Sequence, residues 1–202
     1  MRVMSLTLLL ALTALVGCAS APPKSSDNIC DVFDEKRGWY KDARRAERRW
    51  GSDIPTLMAM MYQESTFRPK AKPPRTKILW VIPGPRKSSA FGYAQVKDET
   101  WNEYQRMSGN HWASRSYFAD AIDFIGWYNA QSKKRVGIDK NDARNLYLAY
   151  HEGHGGYQRR TYDQKAWLVG VAGKVEQRAR RYREQLKSCE RRFKGPWWWP
   201  LR

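Results

Sequence analysis

Ile54, Leu57, Met58 and Met61 recur at i, i+3, i+4 and i+7. That spacing returns an apolar side chain to one face on every helical turn, and it does not fit the two-residue alternation of a strand. Ser52-Asp53-Ile54-Pro55 reads as the start of this helix, with proline at an early position where no amide hydrogen is needed. A stripe of this kind has to be buried against other elements. Helical partners are expected over residues 97–107, 114–134, 140–152 and 163–192, with Asn141 and Asp163 as candidate caps. Residues 28–49 add a charged segment with Ile29, Val32, Phe33, Trp39 and Tyr40 spaced along it. Residues 69–89 interrupt the pattern with five prolines and the cations Lys70, Lys72, Arg75, Lys77, Arg86 and Lys87, so a long basic loop is expected there. Inside it, Ile78 to Ile82 is a continuous apolar run that suits a short strand or an anchor onto the body. No internal repeat is visible. The expectation is one mainly α domain.

The chain opens with a short basic head, Met1-Arg2, and an apolar run from Val3 to Val16. Head, run and small-residue exit match a secretory leader, and the run is short for a membrane span of about 20 residues. Leu15-Val16-Gly17-Cys18 resembles the lipobox of bacterial lipoproteins. That resemblance implies a leader over 1–17, a lipid on Cys18, a polar tether over 18–27 and a body over 28–202. Ala19 after the cysteine points to the periplasmic face of the outer membrane. Ala19-Ser20-Ala21 offers the alternative of an ordinary cleavage site and a soluble periplasmic protein. If Cys18 carries lipid, Cys30 and Cys189 remain. In an oxidising compartment two leftover thiols suggest a disulfide between the first and last helices; two separate buried thiols are the alternative.

The formal charge is +17 over 202 residues. Such an excess suggests nucleic acid first. Export argues against that partner and leaves peptidoglycan carboxylates or lipid head groups as the anions a basic surface would meet. Plain solubility is the competing explanation.

Glu64 carries the chemistry. On a helical wheel it lies about 280° from Ile54 and beside Leu57 at about 300°, the margin of the apolar stripe. Apolar neighbours and a helix C-terminus both disfavour the charged carboxylate, so the pKa rises. A carboxyl that keeps its proton near neutral pH can give it to a leaving oxygen. An ordinary surface glutamate is commoner, but the motifs downstream weigh against it.

Those motifs are Glu64-Ser65, then Gly92-Tyr93-Ala94-Gln95, then Ala149-Tyr150-His151-Glu152-Gly153. In this order they resemble the soluble-lytic-transglycosylase type of lytic transglycosylase, over roughly residues 50–160. The resemblance implies a lysozyme-like α fold with the Pro-rich basic loop as an insertion. It also implies cleavage of the MurNAc–GlcNAc β-1,4 bond of peptidoglycan by a monomer, with no cofactor or metal. By position, Glu64 would be the single acid/base, Ser65 would hold the sugar or its acetamido group, and Gln95 would line the cleft. Tyr150 would hydrogen-bond near Glu64, and Gly92 would permit close backbone approach. Phe91, Tyr93, His151 and Tyr157 flank the motifs as candidate substrate contacts.

The chain departs from the family pattern in three places. Tyr93-Ala94 stands for Leu-Met, His151 stands for Asn, and the stretch from Glu64 to Gly92 is long. An unbroken helix would point Tyr150 and Glu152 about 200° apart, which argues against a second carboxylate in the cleft. His151-Glu152-Gly153-His154 lacks the i, i+4 histidine pair of a zinc motif. Trp197 to Trp199 suits either a membrane interface or an anchor on the body. Two other functions remain open from the sequence: a goose-type-lysozyme-like hydrolase and a non-catalytic peptidoglycan-binding lipoprotein.

Overall fold

A computed structural model describes residues 21–78 and 82–194. The leader, Cys18, the centre of the 78–82 apolar run and the tryptophans 197–199 lie outside the described residues. Among the described residues, seven α-helices and one small hairpin follow in the order α1 (Ile29–Glu35), α2 (Arg37–Trp50), α3 (Ile54–Ser65), β1 (Arg75–Ile78), β2 (Ile82–Arg86), α4 (Asp98–Ser108), α5 (Phe118–Val136), α6 (Ala143–Gln158) and α7 (Ala166–Cys189). None of these helices is long and apolar enough to cross a membrane.

α3 is the centre. The Asp53 carboxylate accepts from the Thr56 amide and Pro55 occupies the first turn, as the Ser52–Pro55 pattern predicts. The apolar stripe understates its burial. Thr56, Ala59 and Met60 are as inaccessible as Leu57, Met58 and Met61, so the helix is buried almost all round over its first two turns. α7, α5 and α6 pack around it. Arg183 of α7 pairs with the capping carboxylate of Asp53 at 2.6 Å, which ties the outer helix to the start of the central one.

The expected helices form with shifted ends. Asn141 does not cap α6; its side chain accepts from the Asp53 amide, and Asp142 caps the helix. Asp163 lies in a 3-10 turn, Thr161–Gln164, ahead of α7. Cys30 and Cys189 are joined, with Cα atoms 6.0 Å apart and a separation of 159 residues, so α1 is fastened to the end of α7. In the chain-entropy view, closing so long a loop stabilises the fold by about 5 kcal/mol.

The basic 69–89 segment contains a two-stranded antiparallel hairpin, in which Arg75 pairs with Arg86 and Ile78 with Ile82. The register is irregular between Arg75 and Lys77. Prolines at 83 and 85 are tolerated because the ladder has only two strands, leaving each strand an edge that forms no ladder bonds.

Candidate active site

Glu64 lies in the last turn of α3, which ends as Thr66 and Phe67 turn left-handed at φ 52° and 57°. The helix therefore ends directly after the glutamate. The side chain is half-buried at the floor of a groove of about 520 Å³. Burial pushes its carboxyl up to about 7, while a hydrogen bond with the Tyr147 phenol pulls the other way. Burial also holds the Tyr147 and Tyr150 phenols well above their ordinary range, and the neighbouring Glu64 charge adds to the effect. Both therefore stay protonated hydrogen-bond donors at neutral pH.

One wall is the loop 91–96, closed by a bridge between Phe91 and Val96. Gly92 has φ 80°, and a Cβ there would fall 2.1 Å from the Arg115 carbonyl oxygen. Only glycine fits this place. Gln95 is left-handed at φ 46°, and its amide nitrogen donates to the carbonyls of Ala71 and Gly92, each at 2.9 Å. From the opposite side, the Tyr150 hydroxyl donates to the Ala94 carbonyl at 2.5 Å. The loop carrying Gln95 is thus fixed both to the start of the insert and to α6.

The other wall comes from α5 and α6, where Phe124, Tyr128, Tyr150 and His151 border the groove. α6 breaks at Gly153, whose φ 72° and ψ 159° are non-helical. Tyr150, His151, Glu152 and Gly153, four consecutive residues, all face the groove there. Glu152 borders the groove as well, although the helical wheel sets its side chain about 200° from Tyr150; the Gly153 break lies after both residues and reorients neither. The Glu152 carboxylate, only 4 % exposed, accepts from Lys165 Nζ at 2.7 and 2.9 Å and from the Thr161 hydroxyl. Burial would raise its pKa, but Lys165, Thr161 and His151 outweigh it and hold the group at about 2. The groove therefore borders two carboxyls of opposite character, one holding its proton near neutrality and one ionised.

Glu64, Gln95, Tyr150 and His151 meet in this groove; several other candidates do not. Ser65 is buried and donates to the Met61 carbonyl at 3.4 Å, because one residue past Glu64 the helix turns into the core. Tyr93 is buried edge-on against Trp39 and Phe118. Gly92 is buried too, and the backbone it approaches is that of Arg115. Tyr157 lies beyond the Gly153 break and packs against Tyr162 at 5.4 Å. Phe91 borders a separate recess beside the hairpin. The sequence reading missed Tyr147, although it lies three residues before Tyr150 and so on the same helical face. Phe124 and Tyr128, both buried in the core, also border the groove, and their i, i+4 spacing sets them on a shared face.

His151 Nδ1 lies 3.0 Å from Glu152 Oε1, whereas His154 Nε2 turns inward to the Ser132 hydroxyl at 3.0 Å. Among the described residues, no three His, Cys, Asp or Glu side chains converge as metal ligands.

A helical body that sets one proton-holding carboxyl on the floor of an open groove is the arrangement of a lysozyme-like, glycan-cleaving protein. The chain belongs to the transglycosylase SLT domain family, whose model matches residues 6–189. Comparison with curated proteins gives no match. Family membership carries a lytic-transglycosylase-like function on peptidoglycan.

Proposed function

We propose that the protein is a peptidoglycan lytic transglycosylase that cuts the MurNAc–GlcNAc β-1,4 bond and leaves a 1,6-anhydroMurNAc end, with Glu64 as its single acid/base. The observation that carries this reading is the Glu64 carboxyl itself, half-buried on the groove floor and raised to about 7. In that state it donates its proton to the glycosidic oxygen as the bond from the MurNAc C1 breaks. The substrate's own acetamido oxygen stabilises the cation developing at C1. The Glu64 carboxylate then takes the proton from the MurNAc 6-hydroxyl, whose oxygen closes onto C1. The proton count balances and Glu64 ends as it began. The Tyr147 hydrogen bond supports the carboxylate midway through the cycle. General acid–base groups of this kind contribute about 10²–10⁴-fold.

Mass spectrometry of fragments released from purified sacculi tests the reading. Fragments ending in 1,6-anhydro rings, lost in Glu64→Gln, are expected; unmodified cutting by the variant would refute the assignment. One observation favours a second reading, a hydrolase. Glu152, held ionised, is among the residues that line the groove, and two-carboxylate glycosidases require a second carboxyl there. Its engagement by Lys165 weighs against that role. Reducing ends that disappear in Glu152→Gln would establish the hydrolase.

The proposal extends to location. Residues 1–17 would be a lipoprotein leader, Cys18 the lipidated residue, 18–27 the tether and 28–202 the working domain, facing the periplasm from the outer membrane. Labelled palmitate should enter the wild-type chain and not Cys18→Ser; equal labelling of both would reject the anchor.

A further inference from the structure

A second recess of about 360 Å³ lies beside the hairpin. Ala90 borders both this recess and the groove that holds Glu64, so the two spaces adjoin. Lys72, Arg86 and Arg115 surround the recess, against one carboxylate, Asp98. Arg115 engages Asp98 at 2.7 Å and also donates to the carbonyls of Ser89 and Val96. Lys72 and Arg86 have no carboxylate partner among the described residues, and both are exposed. Phe91 forms the shared apolar surface: Lys72 Nζ and the Arg115 guanidinium each lie 5.4 Å from its ring centroid. The ring face attracts both cations and so favours their place at the rim without neutralising them. The result is a cup with two uncompensated positive charges, next to the groove.

We infer that this recess binds the carboxylates of the peptide branches carried by a glycan strand lying in the groove. The inference rests on the proposed substrate. A strand in the groove sends its peptides sideways from the MurNAc rings, and the recess adjoins the groove at Ala90. An ammonium and a guanidinium fork are the groups that recognise a carboxylate with charge-assisted hydrogen bonds. On this account the basic hairpin insert is a reader of peptide substitution, and glycan without peptides lacks the matching anions.

Binding of fluorescently labelled glycan fragments tests this in a Glu64→Gln background, where no cleavage intervenes. Peptide-bearing glycan should bind about tenfold more tightly than the same glycan stripped of peptides by an amidase, the expected scale for one or two charge-assisted contacts. Lys72→Glu with Arg86→Glu should erase that difference and leave binding of stripped glycan unchanged. Lys174→Glu with Arg180→Glu, an equal charge change on exposed α7 positions, should preserve it. Melting curves confirm folding, and the neutral pair Lys72→Gln with Arg86→Gln should give the same loss of preference. Equal binding of both glycans by the parent, or equal weakening by both reversed pairs, overturns the recess alone. So does a reversed Lys72/Arg86 pair that loses only binding to phosphatidylglycerol vesicles. Failure to bind either glycan would count against the proposed substrate as well.

Discussion

The phenol of Tyr147 hydrogen-bonds with the carboxyl of Glu64, joining the middle of α6 to the end of α3. Tyr150, one turn later on the same helix, instead holds the Ala94 carbonyl. The two tyrosines thus divide the work: one tunes the acid and the other places the loop beside it. Tyr147→Phe should move the alkaline limb of the pH–rate profile upward, because the lost hydrogen bond favoured the ionised form. The rate should fall several-fold, since the carboxylate formed midway loses its support. A limb that stays in place would show that the phenol does not act on Glu64.

Burial of Glu64 should also register in stability. Its folded pKa of about 7 exceeds the ordinary value of 4.5. The folded protein binds the proton more tightly, so this contribution is whole below pH 4.5 and is lost as pH rises through about 7. Glu64→Gln removes the penalty of an ionised buried group. The variant should match wild type near pH 4 and exceed it above pH 7 by up to about 3 kcal/mol. Chemical denaturation at the two pH values checks this, and equal stability at both would contradict it.

Gly92 is expected to tolerate no side chain. Gly92→Ala combines a positive φ with a Cβ 2.1 Å from the Arg115 oxygen. The cost should be about 3 kcal/mol or more. Because Gln95 donates to the Gly92 carbonyl, activity should fall further than stability alone explains. A variant with wild-type melting and turnover would refute the constraint.

Reduction of the Cys30–Cys189 bond should lower stability by about 5 kcal/mol while leaving the groove chemistry in place, because the bridge joins α1 and α7 and borders no part of the groove. Denaturant curves with and without reductant measure the first effect. Activity of the still-folded reduced protein measures the second; loss of turnover ahead of unfolding would contradict it.

What the sequence disclosed follows from physical range. Short-range signals were legible. Asp53 and Pro55 marked the start of α3, and Glu64 on the margin of its stripe marked the floor of the groove. Gln95 and Tyr150 were found through local motifs. Ser65 and Tyr93 were misplaced because adjacency in a motif says nothing about which way the next side chain turns; here both turn inward. The break in α6 at Gly153 was not legible because the wheel assumes a continuous helix. The cation cup at Lys72, Arg86 and Arg115 depends on bringing residue 115 against the 91–96 loop, a long-range contact that no local pattern announces.

The central claim is that Glu64 keeps its proton near neutral pH because the fold buries it. A carbon-13 NMR titration of the Glu64 side-chain carboxyl, assigned by comparison with Glu64→Gln, measures this directly. The expected midpoint is about 7. A midpoint near the ordinary value of 4.5 would mean that the groove floor leaves this carboxyl ionised at neutral pH, and the account of Glu64 as proton donor would be wrong.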